Sequence, residues 1–203
     1  MIRASLIIPT YNEAKNLPLL LEEIEQVVDR AWLDLEYIIV DDNSPDGTGD
    51  VADNLAKKYP VRVLHRAGKQ GLGSAVRAGF TASDRPYLAV MDADLSHDPA
   101  ILPQLFKDLE TADVAIGSRF ADGSSVENWQ LGRKLLSQTG VVLARRLTGV
   151  KDPLSGYFAF RRRVIEGVTL TTVGYKILLE ILVKGQCQTT TEHAFRFRMR
   201  RHS

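Results

Sequence analysis

Two aspartates separated by one residue, Asp92-Ala93-Asp94, close an apolar run, Tyr87-Leu88-Ala89-Val90-Met91. On an extended segment that spacing sets two like charges close together, which costs free energy or keeps one carboxyl protonated. A hard divalent cation removes the penalty and can in turn hold phosphate oxygens. The plain alternative is that one aspartate caps the helix starting near Pro99 and the other is solvated. Company favours the metal chemistry. Pro9-Thr10-Tyr11-Asn12-Glu13 follows the apolar run Ala4 to Ile8, and Asp41-Asp42-Asn43-Ser44 follows Tyr37 to Val40. Ligands of open parallel sheets gather outside the carboxyl ends of the strands, so three such tips converge on one rim.

The elements that must hold these tips are legible as a rhythm. Strands are expected at Ala4–Ile8 (stopped by Pro9), Tyr37–Val40, Val61–Leu64, Tyr87–Met91 and Val114–Ile116. Between them, helical spacing runs over Leu17–Val28, Gly49–Tyr59, Gly71–Ala82 and Pro99–Glu110, with Asn16 as the first helix's N-cap and Pro18 in its first turn. Continuous apolar strands separated by helices imply an α/β fold, a mainly parallel sheet covered on both faces. After Ser118 the pattern changes. Gly123-Ser124-Ser125 marks a loop, Trp129–Leu147 a longer amphipathic helix, Phe158–Phe160 a short strand, Tyr175–Val183 a helix, and Thr189–Arg198 strand-like alternation. The apolar stripe of that longer helix (Leu131, Leu135, Leu136, Val142, Leu143) is expected to face the core rather than a membrane. Without a linker or repeat, one domain is expected over 1–203, with a sheet-based half (1–118) and a mixed half (119–203).

Composition narrows the class. The 203 residues are 44% hydrophobic and 25% charged, near the globular average, which excludes a disordered or collagen-like chain. No apolar run approaches the ~18–20 residues of a membrane span, and no signal peptide opens the chain. Cys187 stands alone, so no internal disulfide is expected and a reducing, intracellular compartment suits it. The net charge of +1 conceals a gradient: 1–60 sum to −7, 61–116 to −1 and 117–203 to +9. An acidic front and a basic back suit a cleft with a metal at one end and anions at the other. The basic residues neither line one helix nor interleave with aromatics, so no nucleic-acid partner is expected.

Ile8-Pro9-Thr10-Tyr11-Asn12-Glu13, Val40-Asp41-Asp42-Asn43-Ser44 and Asp92-Ala93-Asp94-Leu95-Ser96-His97 together resemble the family-two glycosyltransferases. Within that family they are most similar to dolichol- or polyprenol-phosphate mannose synthases. Gly117-Ser118-Arg119, Asp152-Pro153-Leu154-Ser155-Gly156-Tyr157 and Gly174-Tyr175-Lys176-Ile177-Leu178-Leu179-Glu180-Ile181 extend the likeness over nearly the whole chain.

The resemblance implies a GT-A fold and inverting transfer of mannose from GDP-mannose to dolichyl or polyprenyl phosphate, with Mg2+ or Mn2+. It implies that Pro9, Tyr11, Glu13, Val40 and Asp42 line the nucleoside pocket, that Asp92 and Ala93 contact the donor, and that Asp94 ligates the ion. Ser96 stands where many relatives carry a glutamine ligand and is expected as a second, weaker oxygen ligand of the ion, and His97 is expected to be structural, since hard ions prefer oxygen. Arg119, Arg133, Lys176 and Arg200 match basic positions used around phosphates, with Arg119 and Arg133 placed beside Asp92 and Asp94 as the catalytic groups. Strand geometry would set Arg196, Arg198 and Arg200 on one face.

Gly71-Leu72-Gly73 lacks the third glycine of a dinucleotide fingerprint and is expected as a tight loop near the nucleotide. Relatives continue past an arginine like Arg200 into a mobile acceptor loop carrying a lysine, so this chain, which stops at Ser203, is expected either to be truncated or to lack that lysine. The resemblance places the protein in the cytoplasm, at the cytoplasmic face of a membrane; some relatives carry a membrane-anchoring segment or subunit outside the part that this chain resembles and others lack one. Two other readings stay open: transfer of glucose or another sugar from a different nucleotide, and a catalytically silent nucleotide-binding subunit.

Overall fold

The computed structural model describes residues 1–126 and 142–199. Strand and helix alternate from the start: β1 (Ile2–Thr10), α1 (Asn16–Val27), β2 (Leu33–Asp41), α2 (Thr48–Leu55), β3 (Val61–His65), α3 (Leu72–Ala82) and β4 (Tyr87–Val90). A 3-10 turn, Pro99–Ile101, then leads into α4 (Leu102–Asp108) and β5 (Val114–Ser118). The remainder brings β6 (Ser125–Val126), β7 (Phe158–Arg161), a 3-10 turn Arg162–Ile165, α5 (Ile177–Lys184), β8 (Thr190–Ala194) and β9 (Arg196–Phe197). Residues 142–148 are also helical.

Seven strands form one sheet in the order β3-β2-β1-β4-β7-β5-β8, and β6 pairs with β9. Every pairing in the large sheet is parallel except those of β7, which runs against both β4 and β5. The apolar runs explain the layering. Leu6 and Ile8 of β1 pack with Leu17, Leu20, Leu21 and Ile24 of α1, while Ile7 between them joins Val76 and Phe80 of α3 on the opposite face. All of these are buried, and each such aliphatic side chain contributes roughly 1.5–3 kcal/mol.

The structure corrects several sequence expectations. β1 runs through Pro9 to Thr10, because its pairing with β4 ends at Ile7↔Val90 and no ladder bond is asked of Pro9 on that side. Asn16 is the first residue of α1 rather than its N-cap; its side-chain amide donates to Glu13 Oε2 at 2.6 Å. Helix α2 stops at Leu55, short of Tyr59. Val142 and Leu143 are exposed, and Ala144 is the residue of that turn that faces inward. The rest of the Trp129–Leu147 stripe lies outside the described residues. Among those residues, no helix is long and apolar enough to cross a membrane.

One carboxylate ties the basic half to the sheet. Asp113, buried at the head of β5, accepts the N–H groups of Gln188 and Thr189 at 2.8 and 3.1 Å and pairs with Arg163. Burial opposes its ionisation, yet those backbone donors and Arg163 hold its pKa below the usual value. A depressed carboxylate stabilises the fold above its unfolded pKa near ~3.9 and loses that contribution as pH falls through the lower folded value. Asp113→Asn can keep its carbonyl on those N–H groups only by turning its NH2 toward Arg163, so it loses the ion pair and should cost about 1–2 kcal/mol at pH 7. Urea unfolding should show the gap between wild type and variant narrowing once the pH drops below ~4. A gap independent of pH would refute the assignment.

Candidate active site

β1, β2 and β4 end side by side, and each end turns through a non-glycine residue in the left-handed backbone region: Asn12 (φ 62°), Asn43 (φ 55°) and Leu95 (φ 63°). Asparagine tolerates that region, whereas leucine pays of order 1–3 kcal/mol there. Complete burial of the Leu95 side chain offsets the strain. The turn brings Ser96 back on Asp94, whose Oδ1 accepts the Ser96 N–H at 3.0 Å.

The first two strand ends are laced together. Ser44 Oγ accepts the N–H of Asn12, Thr48 Oγ1 that of Glu13, and Asp46 Oδ2 that of Ala14, at 2.9–3.1 Å. Burial works against the Asp46 charge, but the Thr48 hydroxyl and the backbone donors leave its pKa lowered. Asp41 braces the same turn through Ser44 and Thr10. Asp42 faces the other way: Oδ2 accepts the Gln70 N–H at 3.0 Å, and Oδ1 lies 2.8 Å from Arg66 Nη1 as an ion pair, off the alignment of a hydrogen bond.

Between these ends lies a cleft of about 350 Å³. Pro9, Thr10, Tyr11 and Glu13 line it from β1, Asp42 from β2, and Asp92, Ala93 and Asp94 from β4; Lys69, Gly71, Leu72 and Ala75 form a further wall. Seven of the residues singled out from the sequence thus share one cavity. Val40 does not line it, being fully buried beneath in the sheet core. Arg119 and Lys176 also lie outside its lining, and Arg133 and Arg200 lie outside the described residues. Lys69 is the residue sequence reasoning missed: its ammonium sits 4.0 Å from the centre of the Tyr11 ring. Its only advance signal was its place just before Gly71, whose φ of +94° and close approach to Val173 leave no room for a side chain.

His97 sits buried behind the aspartates, its ring stacked on Tyr157 with 5.1 Å between centroids. Its Nδ1 faces the Asp92 N–H at 3.2 Å, so the ring accepts there and keeps its proton on Nε2, 3.8 Å from Asp92 Oδ2. Burial pushes its pKa down to about 4, which keeps it neutral. That geometry suits a brace for Asp92. Arg198 likewise differs from a free member of an arginine face: it pairs with Glu23 at 2.8 Å and Asp98 at 3.2 Å, and its N–H donates to Ser96 O at 2.9 Å.

The donor set bears on the implied cation. Among the described residues, no group of three or more His, Cys, Asp or Glu side chains gathers as a metal cage. Two carboxylates at the mouth of a cleft fit Mg2+ or Mn2+, hard ions that keep waters and take substrate phosphate oxygens as further ligands. They do not fit zinc, which takes three or four protein ligands.

Known proteins resemble this chain in sequence and in fold. Residues 5–169 match the model of Glycosyl transferase family 2. A dolichol-phosphate mannosyltransferase of Pyrococcus furiosus is 44% identical over 206 residues, 98% of this chain and 57% of the relative. A polyprenol monophosphomannose synthase of Mycolicibacterium smegmatis is 44% identical over 182 residues, 86% of this chain and 67% of that protein. The chain therefore spans little more than half the length of the first of these. Glucosyl-3-phosphoglycerate synthase of Mycobacterium tuberculosis, solved with Mn2+, UDP and glucosyl-3-phosphoglycerate, superposes with a TM-score of 0.73. It covers all of this chain and 73% of its own at 21% identity, a likeness that shows the shared GT-A fold alone. Sequence and architecture lead to one assignment: the chain belongs to glycosyl transferase family 2.

Proposed function

We propose that this chain transfers mannose, with inversion, from GDP-mannose to a dolichyl or polyprenyl phosphate, using Mg2+ or Mn2+. The carrying observation is the single cleft that joins the Pro9–Glu13 and Asp42 end to the Asp92-Ala93-Asp94 end. The mannosyltransferase relatives support it. In this reading 1–203 is one catalytic unit, with donor half 1–118 and acceptor half 119–203, working at the cytoplasmic face of a membrane because its acceptor is a lipid. An anchoring segment or subunit beyond this chain is consistent with that setting.

The residues have distinct tasks. Tyr11 and Lys69 offer an aromatic face and a cation to the nucleotide, while Pro9, Glu13 and Asp42 shape the nucleoside end above the buried Val40. Asp94, with Asp92 beside it, holds the divalent ion, which when bound neutralises charge developing on the departing diphosphate. Ser96, buried and outside the cleft lining, holds Asp94 in place through its backbone N–H, and its hydroxyl would be a weaker ligand than a carboxylate. Arg119, Arg133, Lys176 and Arg200 hold phosphate oxygens of donor and acceptor. A phosphate monoester has a second pKa near ~6 and attacks as the dianion at neutral pH, so the site needs no general base. Neutral, enclosed His97 accords with that.

Incubating the protein with a short polyprenyl phosphate, a radiolabelled donor and Mn2+ or Mg2+ tests the proposal. Labelled lipid should form from GDP-mannose and not from UDP-glucose, and EDTA should stop it. Glucosyl lipid from UDP-glucose would reassign the donor. Calorimetric binding of GDP-mannose without any product would favour a silent nucleotide-binding subunit.

A further inference from the structure

Arg119 is held far more tightly than a phosphate-binding side chain requires. Its backbone N–H and its Nε both donate to Asp152 Oδ2, at 2.9 and 2.8 Å, and its Nη2 donates to Oδ1 at 2.8 Å. Nη2 also reaches Leu154 O at 3.4 Å. The Phe120 and Phe197 rings lie 5.8 and 6.0 Å from the guanidinium carbon. Asp152 is completely buried, while the Arg119 side chain keeps 21% of its surface exposed. Among the described residues, nothing pairs with Nη1. One edge of the guanidinium is thus left to give, and its direction is set by the other. Burial disfavours the charge, but Asp152 and, through space, Asp92 of the cleft more than restore it.

Asp152 is placed in turn by a second carboxylate. Glu192 Oε2 accepts the N–H of Lys151 at 2.7 Å, and Oε1 that of Asp152 at 3.0 Å. Glu192 lies on β8 opposite Ile116 of β5, the strand that ends immediately before Arg119. Two adjacent strands therefore set the two ends of one chain of contacts: β8 through Glu192 and the 151–152 turn, β5 through Arg119 itself. Buried ion pairs are poor sources of stability, since desolvation takes back most of the attraction. A fully desolvated aspartate accepting three donors from one arginine is better explained by what it does to the arginine's direction.

We infer that Asp152 and Glu192 are positioning residues that fix the Nη1 edge of Arg119, just outside the cleft lining, for a substrate phosphate oxygen. The inference rests on the phosphate-binding role proposed above for Arg119. An arginine free to swing would have to be ordered during each turnover, and an error of about 1 Å in a reacting geometry costs roughly 10²-fold in rate.

A double-mutant cycle on the whole chain tests this. Asp152→Asn should lower kcat for sugar transfer to polyprenyl phosphate by about 10²-fold, with the donor KM within roughly threefold of wild type. Glu192→Gln, which leaves the ion pair intact, should lose about tenfold. In an Arg119→Gln background, itself strongly impaired, neither substitution should reduce kcat further, because nothing is left to aim. Equal losses in both backgrounds would show that Asp152 and Glu192 act on the fold at large, and would overturn the inference. A wild-type rate for Arg119→Gln alone would instead overturn the role of Arg119, and the inference with it. Thermal melts of each variant identify any that fails to fold; if Asp152→Asn does, the Glu192→Gln arm carries the same cycle.

Discussion

Asp94→Asn should reduce sugar transfer by at least about 10³-fold while the protein folds and melts as before. The two halves of that expectation come from different observations. Asp94 lines the cleft, and its Oδ1 accepts a backbone hydrogen bond from Ser96 that an asparagine carbonyl accepts equally well. Removing the charge therefore spares the turn. It does not spare the ion. With no acidic or imidazole cluster of three among the described residues, half of the carboxylate charge for a divalent cation disappears. Charge stabilisation by a bound metal is worth several kcal/mol, and about 4 kcal/mol corresponds to the stated 10³. Radiolabelled transfer with Mn2+ from micromolar to millimolar concentrations, beside a thermal melt, checks both halves. Wild-type turnover would sink the metal assignment, and a collapsed melting temperature would show that Asp94 supports the fold.

Gly79→Val should be the most destabilising of these substitutions. A Cβ built on Gly79 stands 2.5 Å from Ile7 Cγ2 and 2.8 Å from Ile7 Cγ1. Ile7 is fully buried in β1, with Ile38 and Val90 beside it in register, so it has nowhere to retreat. α3 must lift off the sheet instead. Overpacking of this kind costs about 3 kcal/mol, which for a chain of this size lowers Tm by roughly 6–12 °C. Lifting α3 also moves Gly71, Leu72 and Ala75, one wall of the cleft, so donor binding should weaken along with stability. Urea denaturation and donor calorimetry on the same preparation test this. A loss under ~0.5 kcal/mol would mean that α3 is not seated on β1 as described.

Much of the sheet-based half, 1–118, was readable from apolar runs because its strands are buried on both faces. Ile7, flanked by Leu6 and Ile8, cannot avoid the interior whichever way the strand turns, so β1, β2, β4 and β5 were found near their true positions. The same runs are silent on direction. Phe158-Ala159-Phe160 reads as a strand from its residues, yet only pairing shows that it enters between β4 and β5 and runs against both. That insertion carries the preceding 152–157 segment back to the rim, where Asp152 meets Arg119 and Tyr157 stacks on His97.

The linear order of residues determined that three acidic or polar tips follow three buried strands, because apolar runs and their boundaries are local properties. From that alone came the parallel sheet, the shared rim and the expectation of a metal between carboxylates. Tertiary structure decided which charges are spent and which are available. Arg198, equivalent in sequence to any other arginine of its stretch, is consumed by Glu23 and Asp98, whereas among the described residues nothing pairs with Nη1 of Arg119, and Lys69 arrives over Tyr11. The physical reason is range: burial and backbone periodicity act between near neighbours, but an ion pair is settled by which distant side chain the fold brings within about 4 Å.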